Sequence, residues 1–415
     1  MAFVSYGVSR VQVPARSSSP CSSSSRSSRS VPRRVFVGGR RRFPFTFTFT
    51  CNTTRSDGTS QRISSGIVSR TLPPPFNMFR FKGADVAYVC YKADSAAGAE
   101  ATAAADTPRQ NDQTPFVLVH GFGLSSFHWN RLAPVLAKAS NRDVYAIDLL
   151  GFGKSAKTMP QGERLSTKLW GELIAAFAAE VCGGAYVVGN SIGSLSALQA
   201  LACPSNGTFV RGAVCVNVAG GMNNNVRMLD TDFEYDPNLR LIYVPFKAVL
   251  AVLNALLKTK WVAKRLFDGV RSPEGVGNAL KTFYPFNPEH VDDDLVKSVV
   301  APAEDEDALD AFVAMLTDDA GERPEIIYDQ VLEAARLANR QPPPLCIVWG
   351  ECDTATPLGG PIAQHFQKLS KVQENDATLR FTVLEGHQHF PHDDEPELVV
   401  DSIMAWQCAV ETKKV

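Results

Sequence analysis

Seven short apolar runs set the rhythm of this chain. DVAYVCY (85–91) alternates apolar and polar residues as a half-exposed strand does. The others are apolar on both faces: FVLVHG (116–121), VYAIDLLG (144–151), AYVVGN (185–190), GAVCVNVAGG (212–221), LCIVWG (345–350) and LRFTVLEG (379–386). Helix-like segments separate them. Strands with no polar face need cover on both sides, so the pattern predicts an α/β fold: a mostly parallel central sheet with helices on both faces. The rhythm breaks over residues 222–340, where helical segments such as LIYVPFKAVLAVLNALLKTKWVAKRLF (241–267) replace it. This predicts an inserted helical cap or lid, with the core divided into a first part, 75–221, and a second part, 341–415. Within the first part, residues 93–115 form a low-complexity loop with no expected chemistry.

Charge divides the 415 residues unevenly. The first acidic residue is Asp57, and ten arginines and no lysine precede it, some in the tract RSSSPCSSSSRSSRS. A Ser- and Arg-rich, acid-free leader without an apolar core has the composition of a transit peptide, expected over residues 1–56. It holds ten of the 42 basic residues and none of the 43 acidic ones, which leaves the remainder at net −11. An acidic body with no basic face is a poor binder of nucleic acid, and no such partner is expected. The nine cysteines are scattered without a CxxC pair, which points to reduced thiols, several of them in buried strands.

The most specific chemical signal is GNSIG, Gly189 to Gly193, between the strand AYVV and the helical run SLSALQALA. Small residues two before and two after a serine permit a turn tight enough to lift the hydroxyl above the sheet, which makes Ser191 the candidate nucleophile. A serine hydroxyl also needs a base, a carboxylate to hold that base, and donors for the oxyanion. The donors are expected at the backbone N–H of Ile192 and of Phe122, the latter in the loop HGFG (120–123). His120 is expected to order that loop. The acid is sought after a late strand, where WGECDTATP (349–357) offers Asp353 and Glu351; Asp353 is preferred because it lies deeper in the loop. After GAVCVNVAGG there is only Asn217 and no carboxylate before Asp230.

The base belongs after the last strand, in EGHQHFPHDDEP (385–396), which holds His387, His389 and His392. H-x-H-x-x-H-D is close to a metal-hydrolase pattern. However, Pro391 stands at its carboxylate position, and no histidine follows His392 to complete a second ligand set, so no metal is expected.

HGFGLSSFHW, AIDLLGFGKS, VVGNSIGSLSAL, WGECDTATPLGGP and HFPHDDEPE together resemble the plastid branch of the α/β-hydrolase superfamily. More narrowly, VNVAGGMNN (216–224) and ALDAFVAMLTDDAGERP (308–324) are similar to the chlorophyll dephytylases. Ser194 is another family-like detail. The resemblance implies an α/β-hydrolase fold and cleavage of the phytyl ester of chlorophyll to chlorophyllide and phytol, without an added cofactor. It also implies a plastid location and peripheral contact with the thylakoid membrane. Its catalytic residues fall on Ser191, Asp353 and His389; the family's H-x-P with a second proline seven residues after the histidine matches His389, Pro391 and Pro396. The chain departs from that pattern at Gln388 and Phe390. Cap segment 241–257 carries only Lys247 as a charge and is interrupted by Pro245, too short for a membrane span; its apolar face is expected to pack on the sheet domain and its own neighbours, and part of it to hold an isoprenoid chain or rest on a bilayer. Two alternatives stay open: a plastid lipase-like or thioesterase-like acyl hydrolase, and a ligand-binding protein with little turnover.

Overall fold

The structure, a computed structural model, describes residues 73–93, 113–203, 209–223, 255–319, 321–372 and 379–412. The expected leader, nearly all of the low-complexity loop and most of segment 241–257 lie outside the described residues.

Eight strands form one sheet: β1 (Asn77–Phe81), β2 (Ala84–Tyr91), β3 (Phe116–Val119), β4 (Val144–Ile147), β5 (Ala185–Asn190), β6 (Val210–Val216), β7 (Leu345–Gly350) and β8 (Leu379–Leu384), in the order β1-β2-β4-β3-β5-β6-β7-β8. From β4 to β8 every pairing is parallel, and β1 and β2 add an antiparallel edge. β1 had no clear sequence signal, because only Phe79 and Phe81 of its five residues turn inward. Strands β3, β4 and β6 stop short of the apolar runs that announced them. The remainders, such as Leu149–Leu150 and Val218–Ala219, are buried as loop residues packed over the carboxyl edge, so they keep an apolar pattern without belonging to a ladder.

Helices α1 (Leu132–Ser140), α2 (Thr167–Glu180) and α3 (Ile192–Ala202) alternate with the first strands. α9 (Pro361–Val372), α10 (Pro391–Asp394) and α11 (Pro396–Thr412) belong to the last part of the chain. Both sheet faces carry a core. One packs Trp170, Phe177, Tyr328 and Phe366, and the other packs Trp129, Tyr186, Val399 and Trp406. Truncating an indole such as Trp406 to alanine costs about 3–5 kcal/mol in a core of this kind.

Between β6 and β7 come α4 (Lys260–Val270), α5 (Pro273–Lys281), α6 (Asp293–Val300), α7 (Ala308–Thr317) and α8 (Pro324–Leu337). Local signals start two of them cleanly. Ser272 accepts from Gly275 N at 3.2 Å ahead of Pro273, and Asp292 accepts from Leu295 N at 2.8 Å, each satisfying an otherwise orphaned amide. α8 sends Ile327, Tyr328 and Val331 into the sheet core, so the last of these helices covers the sheet. α5 and α6 instead build a small core of their own with Leu124 and Phe390.

Candidate active site

The carboxyl ends of β5, β6, β7 and β8 lie side by side, since Gly189 pairs with Cys215, Val216 with Val348, and Gly350 with Leu384. The residues just beyond them therefore meet above one edge, where ligands of open parallel sheets gather.

Ser191 sits between β5 and α3 at φ 56 and ψ −119, a strained backbone for a residue with a side chain. The neighbouring glycines explain how the turn closes. A Cβ on Gly189 would overlap the Gly193 carbonyl, and one on Gly193 would overlap the carbonyls of Val119 and His120. Only glycine at both positions lets α3 spring from β5 this close to β3. Ser194, buried below, has its Oγ 2.7 Å from the Gly189 carbonyl and 3.0 Å from that of Val216.

Asp353 and His389 come together: His389 Nδ1 lies 2.8 Å from Asp353 Oδ2, and both side chains are buried. With Nδ1–H donated to the acid, Nε2 is left as the accepting nitrogen, the tautomer a general base needs. Burial pushes the Asp353 carboxyl up, but the hydrogen bond and charge of His389, with donors from Thr356, outweigh it and hold the carboxyl below its ordinary value. Its other partners are Ala355 N at 2.8 Å, Thr356 N at 3.0 Å, the Thr356 hydroxyl and Asn217 Nδ2. Glu351 is turned away, its Oε2 accepting from Gly386 N at 3.0 Å.

Asn217 was read from the sequence only as a missing carboxylate. In the fold it is completely buried at φ 51, with Nδ2 donating to Asp353 and to the Gln388 carbonyl (3.1 Å) while Oδ1 accepts from Gly350 N (3.0 Å). One side chain thus ties the acid loop, the end of β7 and the histidine loop together. A polar residue ending the apolar strand GAVCVN was the available signal. Gln388, a departure from the family pattern, joins the same loops, since its Oε1 accepts from Thr354 N at 3.2 Å.

The oxyanion candidates flank Ser191. Gly121 approaches so closely that an added Cβ would lie 3.3 Å from that of Ser191. Among the described residues neither Phe122 N nor Ile192 N is paired with a backbone carbonyl. Buried His120 donates from Nδ1 to the Gly121 carbonyl at 2.8 Å and accepts at Nε2 from Leu149 N at 3.0 Å, which occupies both nitrogens. Burial lowers its pKa against the pull of Asp148, keeping it a neutral brace for the loop.

The three late histidines go to separate partners. His387 bonds the Glu385 carbonyl through Nδ1 and Glu395 through Nε2, both at 2.9 Å. His392 is fully buried against Trp129, its Nε2 3.1 Å from His128 Nδ1; His128 Nε2 meets the Tyr284 hydroxyl at 2.8 Å, and that hydroxyl donates to Asp393 at 2.8 Å. Nothing in the sequence announced this buried chain, which links positions more than a hundred residues apart.

Ser191 and His389 open onto one cavity of about 590 Å³, lined also by Phe122, Ile192, Leu257 and Trp349. Among the described residues the Ser191 hydroxyl makes no side-chain hydrogen bond, and such contacts commonly tighten only when substrate enters. A second cavity of about 360 Å³ adjoins across Phe122, with Phe152, Phe267, Leu280, Phe283 and Phe390 in its walls. Phe390, the other departure from the family pattern, stacks edge-on with His128 and Phe283 there.

A serine on a strand-to-helix turn, with an acid and a histidine following later strands of a mostly parallel sheet, defines a fold class that presents a nucleophile at its carboxyl edge. The chain belongs to the alpha/beta hydrolase family, whose sequence pattern matches residues 116–402. It is 34% identical over 97 residues to epoxide hydrolase B of Mycobacterium tuberculosis (23% of this chain, 27% of that protein), and 41% identical over 51 residues to the human (lyso)-N-acylphosphatidylethanolamine lipase (12% and 14%). These matches span only a minor part of either relative. An epoxide hydrolase structure from Vigna radiata matches with a TM-score of 0.52 at 13% identity, covering 80% of this chain and 97% of that one, a likeness of fold alone.

Proposed function

We propose that the protein is a serine ester hydrolase acting on a lipophilic ester. The observation that carries this reading is the division of labour on His389: Nδ1 is held by Asp353, while the ring lines the cavity that contains Ser191. In the proposed reaction His389 Nε2 takes the Ser191 proton as Oγ attacks the ester carbonyl carbon. The N–H groups of Phe122 and Ile192 receive the oxyanion, and His389 returns the proton to the departing alcohol. Water, deprotonated by the same nitrogen, then attacks the acyl-enzyme, and the proton passes from His389 to Ser191 Oγ as the acid leaves. An aspartate nucleophile would suit opening of an epoxide or a carbon–halogen bond; a serine and its base suit acyl transfer.

The aromatic and aliphatic walls of the second cavity support a substrate with a long apolar arm. Joined to the dephytylase-like motifs, this favours the phytyl ester of chlorophyll, cleaved to chlorophyllide and phytol in a plastid by a protein held peripherally at the thylakoid. A lipid acyl hydrolase is the second reading, favoured by the short stretch resembling a lipase. The test presents purified protein with chlorophyll a, pheophytin a, a galactolipid and a p-nitrophenyl ester, with products separated by chromatography. Chlorophyllide is the expected product. Galactolipid cleavage without chlorophyllide selects the second reading, and no cleavage of any ester sinks both.

A further inference from the structure

The helix α4 and the turn before it carry a surface that the site does not use. Their inner residues are accounted for: Leu257, Ala263 and Phe267 are buried, Leu257 in the wall of the Ser191 cavity and Phe267 in that of its neighbour. Their outer residues are not. Trp261 is 71% exposed, and Leu256 and Leu266 of the same segment are exposed too, although burying an indole is strongly favourable in water. The other four tryptophans, at 129, 170, 349 and 406, are all buried.

The polar residues among them have one sign. Lys258, Lys260, Lys264 and Arg265 are all exposed, and residues 256–266 contain no acid, within a body that is otherwise net negative. Asp268 is engaged by Lys264 at 3.1 Å and by Arg271 at 2.8 Å, and the acidic run 304–307 begins beyond the C-terminal end of the helix, where Arg271 donates to the Ala303 carbonyl. Lys264 is thus shared with Asp268, while among the described residues Lys258, Lys260 and Arg265 carry no salt bridge.

We infer that residues 256–266 dock the protein on an anionic lipid surface, Trp261 and its apolar neighbours entering the headgroup layer while the four cations meet its charge. Trp is at home where one side is apolar and the other wet, and juxtaposed Lys and Arg draw a helix to acidic headgroups. An acidic protein would satisfy the cations but not explain an indole left 71% exposed on the same segment as exposed Leu256 and Leu266. Because Leu257 of the preceding turn lines the Ser191 cavity and Phe267 of the helix lines its neighbour, docking of this segment brings the bilayer close to their walls. The inference rests on the lipophilic-ester reading for its purpose, but its test does not involve turnover.

That test uses the full chain carrying Ser191→Ala, so vesicle lipids stay intact. Since Trp261 is the exposed indole, its fluorescence should move to shorter wavelength with vesicles of phosphatidylglycerol and phosphatidylcholine in equal parts, and much less with phosphatidylcholine alone. K258E/K260E/K264E/R265E should weaken binding at least about 100-fold with an unchanged circular dichroism spectrum and unfolding midpoint. W261F should abolish the spectral shift and weaken cosedimentation several-fold. The arginine-rich leader is common to all variants and cannot produce these differences. Absence of the shift, an equal shift on neutral vesicles, or undiminished binding of the charge variant overturns the inference. Vesicle binding without ester hydrolysis by the unsubstituted protein supports it and sinks the functional reading alone.

Discussion

Two histidine–carboxylate pairs stand two residues apart in one loop, and their contacts are nearly indistinguishable. His389 meets Asp353 at 2.8 Å and His387 meets Glu395 at 2.9 Å, with both rings buried. What separates them is the nitrogen left over. His389 spends Nδ1 on its acid and lines the cavity of Ser191; His387 has Nε2 on its acid and Nδ1 on the Glu385 carbonyl, so both its nitrogens are engaged away from that cavity. A buried imidazole beside a carboxylate is therefore a structural clasp or a base according to which edge the backbone presents.

The largest expected effect removes the reacting groups. Ser191→Ala or His389→Ala should lower kcat by about 10⁶-fold with the unfolding midpoint retained, and the double variant should cost little more than either alone. If His389→Ala keeps substantial activity while His387→Ala loses it, the two pairs have been assigned the wrong way round.

Next comes the acid. Asp353→Asn should lower kcat by about 10⁴-fold through loss of the correct tautomer. The same variant reports on stability. Because the folded carboxyl titrates below its unfolded value, Asp353 contributes stability at neutral pH that is lost as pH falls through the depressed folded value. Urea titrations of the two proteins should therefore differ near neutrality and converge in acid.

Asn217 sharpens the comparison from the side. Asn217→Asp places a second carboxylate against Asp353, favouring the imidazolium at His389, so the acid limb of the kcat profile should move to higher pH. Asn217→Ala should lower kcat by about 10–100-fold with KM nearly unchanged, as expected when a catalytic pair is slightly misplaced. The smallest effect belongs to the clasp: His387→Ala should change kcat less than about tenfold while costing about 1–3 kcal/mol of stability in urea unfolding.

Much of this was legible because local chemistry demanded it. Gly189 and Gly193 are forced by overlap with neighbouring carbonyls, and that necessity is visible in five letters. Asp353 follows from its place after β7. The choice of His389 over His387 rested on proline spacing, and the geometry brings His389 to Asp353. Asn217 and Thr356 were not legible as supports of the acid, because their role depends on β6 and β7 lying side by side, which no local pattern encodes. The His392–His128–Tyr284–Asp393 chain was hidden for the same reason, as it joins three distant segments. Strand ends were misread where apolar loop residues continue a strand's composition after its ladder has stopped.

The anchoring of residues 284–292 also has a mechanical consequence. Asn287 bonds Asp394 through its backbone (2.9 Å) and its side chain (2.7 Å to the carbonyl), His290 meets the Asp393 carbonyl at 3.0 Å, and Tyr284 closes the buried chain. This stretch is riveted to the segment that follows His389, so it is a fixed point about which α4 and α5, whose residues wall the second cavity, would swing. Amide hydrogen exchange should register that lever, slow at Asn287 and His290 and progressively faster toward Lys260.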